Sequence, residues 1–396
     1  MNTLSLHEAR DLAQSTRDAC VRFAGAERIR EVGFAHPDPY ERGFDPQLWR
    51  VLCSQVGIAA IAMPEHLGGA GFGTGALSAV AHELGRCLAP VPLVASLVLA
   101  TGLLADCADS AGPAFDDSHW AELMDGERTA AAVITGDGGH WSVEAVTIVA
   151  NTAGRSDATL SGTAVHVLHA AAADDLVVVA LAGGEPAIYH LGTDADGVTI
   201  SPEHVLDVTR PMATVQLDGA PARQLCSGRP AADAIERRMQ HAIAVLSAEQ
   251  VGTTERVLEM SVDYASARTQ FGRPIGSFQS IKHRCADMLL DLEWSRSAAQ
   301  AALQAVDDEP AGSASEIRWR CSMAKAVCSE SQRAVSKHNL QIHGGIGFTW
   351  EHPAHLYFKR ACTDEVLFGT PSLYWDRIAS AAGIHGGKVN ACSEPT

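Results

Sequence analysis

Gln341-Ile-His-Gly-Gly-Ile-Gly-Phe-Thr-Trp-Glu-His-Pro353 interrupts a long helical pattern rich in Ala, Lys and Arg. The break falls at Gly344-Gly345 and continues through Gly347, and a helix can restart only after Pro353. So much glycine needs a reason, because it raises the entropy lost on folding and contributes no packing. Two readings follow. One is a tight helix-to-helix turn; the other is bare backbone laid against a flat or anionic ligand.

A second stretch weighs on that choice. Arg268-Thr-Gln-Phe-Gly-Arg-Pro-Ile-Gly-Ser-Phe-Gln-Ser-Ile-Lys-His283 combines a helix end, a proline-glycine turn and a new helix opening at Ser277. With helical sequence between them, the two stretches resemble the R-x-x-F-G and Q-x-x-G-G segments of the acyl-CoA dehydrogenase superfamily. The resemblance implies FAD held against a neighbouring subunit. The arginine reaches the pyrophosphate, the phenylalanine packs by the adenosine half, and the Gln/Gly-Gly segment holds the adenine side. By position these roles fall to Arg268, Phe271, Gln341, Gly344 and Gly345, with Gln270 inside the first segment. A guanidinium fork suits a pyrophosphate, and glycine permits close approach.

Composition narrows the alternatives. The chain has 396 residues, 46% of them hydrophobic, enough for two or three packed units. A net charge of -17 without any Lys/Arg-rich run speaks against nucleic acid as a partner. The most apolar stretch, Val91 to Ala105, contains Pro92 and Ser96 and is too short to span a bilayer, so a buried helix is expected. The amino terminus carries Glu8, Arg10 and Asp11 and lacks a signal-peptide core, so a cytoplasmic protein is expected. Ten scattered cysteines without C-x-x-C spacing predict neither zinc nor a disulfide framework. His352 and His355 lie three apart where a helix should start, and without a third ligand they read as polar residues of an exposed helix end.

The sequence divides into three regions. Residues 1–120 read as a helical domain, residues 121–228 as a small β-barrel or sandwich, and residues 229–396 as a helical bundle. The β runs are Ala131 to Thr135, Val146 to Val149, Val165 to Leu168, Leu176 to Ala182 and Thr214 to Leu217, with turns at Asn151-Thr-Ala-Gly154 and Gly183-Gly184. The glycine run Gly68 to Gly73 fails the dinucleotide fingerprint and reads as a loop. Met63-Pro-Glu-His-Leu-Gly-Gly69 and His82-Glu-Leu-Gly-Arg86 resemble the P-E-x-x-G-G turn and E-L-G-R helix of the same superfamily. The fold this implies is helical domain, β-barrel, four-helix bundle.

Several positions depart from the family pattern. For the flavin-cradling T-E-P-x-A-G-S loop the chain has Thr135-Gly-Asp-Gly-Gly-His-Trp141, keeping the threonine. Where W-I-T belongs it has His166-Val-Leu168, following Ser161-Gly162 as a turn, and leucine cannot offer the threonine's hydrogen bond. At the Y-E-G-T turn that often carries the catalytic base it has Leu367-Phe-Gly-Thr370, so Phe368 takes the glutamate position and only Thr370 remains for the cofactor set. The alternative base position, on the helix before the first motif, holds Ala242.

Glu249 is the remaining candidate base. Seven residues, nearly two turns, put it on the face of Ala242, and Gly252 would leave room for a ligand. A carboxylate desolvated on such an apolar helix is a stronger base. Against this stands a glutamate satisfied by a neighbouring Arg or Lys.

The departures resemble those of one chain in paired α2β2 acyl-CoA dehydrogenases of bacterial steroid breakdown. That implies either FAD-dependent α,β-dehydrogenation of a bulky acyl-CoA with Glu249 as base, or a flavin-poor chain completing a homologous partner's FAD site. The assembly is correspondingly a homo-oligomer or a heterotetramer. A flavin monooxygenase on the same fold is a third, weaker option.

Overall fold

The computed structural model describes residues 4–34, 43–111, 117–134, 141–152, 157–308 and 313–384. Three layers follow one another along the chain. Helices α1 (Leu6–Phe23), α2 (Ala26–Phe34), α3 (Pro46–Val51), α4 (Ile58–Ala62), α5 (Leu77–Cys87), α6 (Gly102–Ala111) and α7 (Asp117–Asp125) form the first. Ser5 and Glu8 start α1 with reciprocal backbone hydrogen bonds, and Asp45 caps α3. The expected buried helix is present: Leu93–Thr101 winds with wide turns into α6, and each of its nine residues is buried.

The middle layer is a barrel of β1 (Ala130–Val133), β2 (Val149–Thr152), β3 (Asp157–Leu168), β4 (Asp175–Ala182), β5 (Glu185–Gly192), β6 (Val198–Pro202) and β7 (Met212–Ser227). Pairings β4-β2-β3-β7-β5 return to β4 and close the ring, which leaves β1 beside β4 and β6 beside β7. Closure leaves the five ring strands without a free edge. Strand β4 is buried on both faces: Leu176, Val178 and Ala180 fill the barrel, while Val177 and Val179 pack toward the helices. Strands β5 and β6 have no counterpart among the runs expected from sequence, and β2 begins only at Val149, where the expected run Val146 to Val149 ends. Ser161-Gly162 is not a turn; both lie inside β3, which continues past them.

Three long helices, α8 (Arg229–Ala267), α9 (Gln279–Asp307) and α10 (Ala314–His343), build the last layer with shorter α11 (Ala354–Val366) and α12 (Pro371–Ala381). Hydrogen bonds between buried polar side chains link the long helices: Gln250 Nε2 donates to Ser329 and Gln332 at 3.1 Å, and Ser261 to Asn339 at 2.8 Å. Helices α5 and α8 cross at two glycines. A Cβ on Gly85 would lie 2.1 Å from the Glu249 carbonyl, and one on Gly252 would lie 2.0 Å from the His82 carbonyl. The room expected beside Gly252 is therefore filled by the backbone of α5, not by a ligand.

One buried charge cluster joins the layers. Arg360 on α11 donates to Asp207 and Thr209 of the β6–β7 connection and to Glu249 of α8. Arg210 adds a 2.6 Å bond to Glu249 and approaches Asp364 of α11 at 3.2 Å. Burial alone would raise the Asp207 carboxyl, but Arg360, Thr209 and Arg210 outweigh it and hold it low. Asp364 goes the other way, raised by burial despite the arginines. Next to the cluster, burial and then the charges of Arg210 and Arg360 push the His169 imidazole down to about 3.

That depressed value sets a pH dependence. The unfolded chain takes up this proton first, near the ordinary histidine pKa of about 6.5. The contribution of neutral His169 is thus complete above that pH and is lost as pH falls toward 3, at up to about 1.4 kcal/mol per pH unit. Between pH 6.5 and 5 (roughly, above the carboxylate range), His169→Phe should flatten the fall in urea midpoint; an unchanged slope would contradict the assignment.

Candidate active site

The two motifs that suggested a cofactor meet at one end of the bundle. Tyr264, in the last turn of α8, stacks on His343 at the end of α10 with ring centroids 4.4 Å apart. Arg268 follows one turn later, its N–H bonded to the Tyr264 carbonyl, and Gly344 follows His343 directly. Arg268, Gln270, Phe271, Gln341 and Gly345 are all exposed, Phe271 at 91%. Thr269–Gln270 and Arg273–Pro274 pair as a small hairpin with Phe271 (φ 52) and Gly272 (φ 77) at its tip.

The glycines there differ in what they require. Gly344 has φ 62, which favours glycine. Gly345 has no such φ, and a Cβ built on it meets nothing within 4 Å. This chain's own packing gives no reason for glycine at 345, whereas a molecule lying flat on that surface would.

A cavity of about 480 Å³ opens between the layers. Its apolar wall includes Ala95 and Leu99 of the wide-turn helix, Val167 and Leu168 of β3, Met239 of α8 and Phe368. Phe368 sits in a left-handed turn (φ 61) with Gly369, and Tyr374 Oη donates to its carbonyl at 2.6 Å. Lys325 fixes the end of α11 from beneath, donating to the carbonyls of Asp364 (2.9 Å) and Glu365 (3.2 Å); burial pushes its pKa down to about 8. Thr370 is exposed and directly precedes α12, while Thr135 lies outside the described residues. A second cavity of about 390 Å³ shares Met239 and Phe368 and is flanked by Trp141, Trp319, Arg318 and Arg377.

Glu249 does not line either of these cavities. It is buried, and its Oε1 accepts from both Arg210 and Arg360. This corrects the expectation of an unpaired carboxylate and matches the alternative of a glutamate satisfied by arginine. The space beside it, about 10 Å³, admits at most a water. Ala242, at the other base position, is fully buried. His355 also departs from expectation: it is buried and stacks on Trp350 at 5.2 Å, while His352 leans on His343. Among the described residues no group of three or more His, Cys, Asp or Glu is placed to hold a metal ion, and no helix is long and apolar enough to cross a membrane.

The sequence reading missed a polar pair on the cavity wall. Between Ala164 and Val167, β3 carries two residues against one on β7, a bulge that puts His166 at φ 57. Such a backbone costs about 1–3 kcal/mol for a non-glycine residue. Glu203, just past β6, holds it there: Oε1 accepts from the His166 N–H at 2.9 Å and from Thr214 Oγ1 at 2.8 Å, and Oε2 lies 2.6 Å from His166 Nδ1. Burial would raise the Glu203 carboxyl, but the contacts from His166 and Thr214 outweigh it and hold it below its usual range. A histidine aligned with a W-I-T strand was the only signal in sequence; Glu203, 37 residues away, gave none.

Residues 10–112 match the family profile for the acyl-CoA dehydrogenase N-terminal domain, and residues 232–383 that for its C-terminal domain. Acyl-CoA dehydrogenase IpdE2 of Mycobacterium tuberculosis is 34% identical over 94% of this chain and 96% of its own length. The namesake from Mycolicibacterium smegmatis is 32% identical over 92% and 96%. Among solved structures, the ChsE4-ChsE5 complex of M. tuberculosis is similar with a TM-score of 0.84 and 28% identity, covering 98% of this chain and 100% of that one. A variant of the Tcur3481-Tcur3483 steroid acyl-CoA dehydrogenase gives 0.81 and 27%, over 95% and 98%. With most of its length under these profiles and a relative above 30% identity along nearly all of it, the chain belongs to the acyl-CoA dehydrogenase family.

Proposed function

We propose that this chain is one subunit of a cytoplasmic, FAD-dependent acyl-CoA dehydrogenase that desaturates a bulky, steroid-derived acyl-CoA in an α2β2 assembly with a homologous chain. The observation that carries the reading is Gly345, bare without any internal demand for glycine, on the exposed end shared with Arg268. Arg268 would pair with the pyrophosphate, Gly344 and Gly345 would admit the adenine side, and Gln270, Phe271 and Gln341 would flank it. The exposure of this end fits a cofactor lying across two subunits. Thr370 and Thr135 complete the proposed contacts. Bound FAD would accept the β-hydride of the thioester.

The roomy apolar cavity supports the substrate class. With Phe368 where a glutamate often stands, its wall is wide and uncharged there, which favours a rigid apolar acyl group. Arg318 and Arg377, with two tryptophans, would suit the nucleotide end of CoA. In this reading Glu249 clamps the layers and is not the base.

Three measurements test these assignments. Purified alone, the chain should show little flavin absorbance, and co-expression with a homologous dehydrogenase chain should yield a yellow, active complex. Arg268→Ala should then weaken FAD binding to the complex about tenfold, read as a raised Kd on titration (roughly 1.4 kcal/mol for a lost charge-assisted contact). A stable yellow homotetramer from this chain alone would overturn the pairing. Glu249→Gln should lower folding stability by about 3–5 kcal/mol, because it leaves Arg210 and Arg360 short of an anion. Wild-type stability with lost turnover would instead restore Glu249 as the base.

A further inference from the structure

We infer that His166, held by Glu203, is a proton acceptor in this chain's own cavity, taking the α-proton of a bound acyl thioester. The inference rests on the proposed substrate class, an acyl-CoA, but not on where the flavin lies.

Three observations converge. The bulge turns His166 out of the regular strand register, and Glu203 holds both its backbone N–H and its ring. Bulges redirect side chains in this way. Both residues line the 480 Å³ cavity whose wall is otherwise mainly apolar. The chemistry of the contact fixes the tautomer as well. A carboxylate can only accept, so Nδ1 must carry the hydrogen that faces Glu203, and it is Nε2 that bears the lone pair in the neutral imidazole.

The other candidate positions suit the role less well. Burial raises the Cys362 thiol, keeping it protonated, and Phe368 and Ala242 hold no proton acceptor. His204 also lines the cavity, but it has no partner comparable to Glu203 among the described residues to fix its tautomer. Glu249 is committed to two arginines.

The step balances without an oxidant. The Cα–H bond of the thioester breaks, the proton forms a bond to Nε2, and the electron pair remains on the thioester as its enolate. Glu203 stabilises the imidazolium through the Nδ1–H bond and acts as a positioning residue. In D2O the reverse step returns deuterium to Cα, so exchange reports the proton transfer apart from dehydrogenation.

The test uses the full chain with 3-cyclohexylpropanoyl-CoA as probe, without an electron acceptor, following deuterium at Cα by mass spectrometry. Wild-type protein should exchange faster than buffer, and His166→Ala should lose about 10²-fold, with the thermal shift caused by the thioester retained. Glu203→Gln guards against misfolding. Its amide oxygen can still accept from the His166 N–H, while its NH2 donates to Nδ1, forcing the hydrogen onto Nε2 and removing the acceptor. Exchange should therefore fall in this variant too, with the fold and probe binding intact. Wild-type exchange at the buffer rate, or undiminished exchange in both variants, overturns the inference. Failure to recover FAD on co-expression overturns the proposed pairing instead, and the two results are read separately.

Discussion

The contact on which the architecture depends is the one between Arg360 and the two carboxylates of Asp207 and Glu249. It draws charge from the barrel, the long helix α8 and helix α11 into one buried cluster. Removing one member of such a cluster leaves the others charged and dry, which costs several kcal/mol. The barrel and bundle are thus held in one relative position, and the cavity between them inherits that position. Asp364 carries the constraint onward, because its carboxylate meets Arg210 and Gln332 while its carbonyl meets Lys325, just before the turn that ends in Phe368.

The paired glycines of α5 and α8 act alongside the cluster. With the two backbones this close, the Glu249 carbonyl and the Gly85 backbone leave no space for a side chain. Thr253 joins them, donating to the carbonyls of Gly85 and Glu249. The geometry that made Glu249 look like a base in sequence, a lone acid among alanines near a glycine, is the geometry of a tight helix crossing with a charge clamp beside it.

What sequence revealed and concealed follows physical lines. Helices α8 to α10 were legible because their composition is sustained and their ends carry Pro230, Arg268 and Gly344. Strand β5 was missed because Glu185–Gly192 opens on Glu-Pro directly after a Gly-Gly turn and ends in glycine, and β6 because Val198–Pro202 is only five residues long and ends in proline. Glu249's need for a partner was readable from its helix; the partners, 39 and 111 residues away, were not. The bulge at His166 left no local mark because the side chain that stabilises it comes from another strand's end. The Arg268 and Gly344-Gly345 segments were legible because each is a contiguous run with glycine in it, the feature least dependent on tertiary context.

The exposed end of the bundle, in this reading, is part of a cofactor site shared between chains. A structure of the co-expressed complex with FAD tests that claim most directly. The Arg268 guanidinium is expected within hydrogen-bonding distance of a pyrophosphate, with the adenine side of the same FAD over Gly344-Gly345 and a neighbouring chain covering the rest. A complex in which Arg268 and Gly345 face solvent, with the flavin elsewhere, would contradict it.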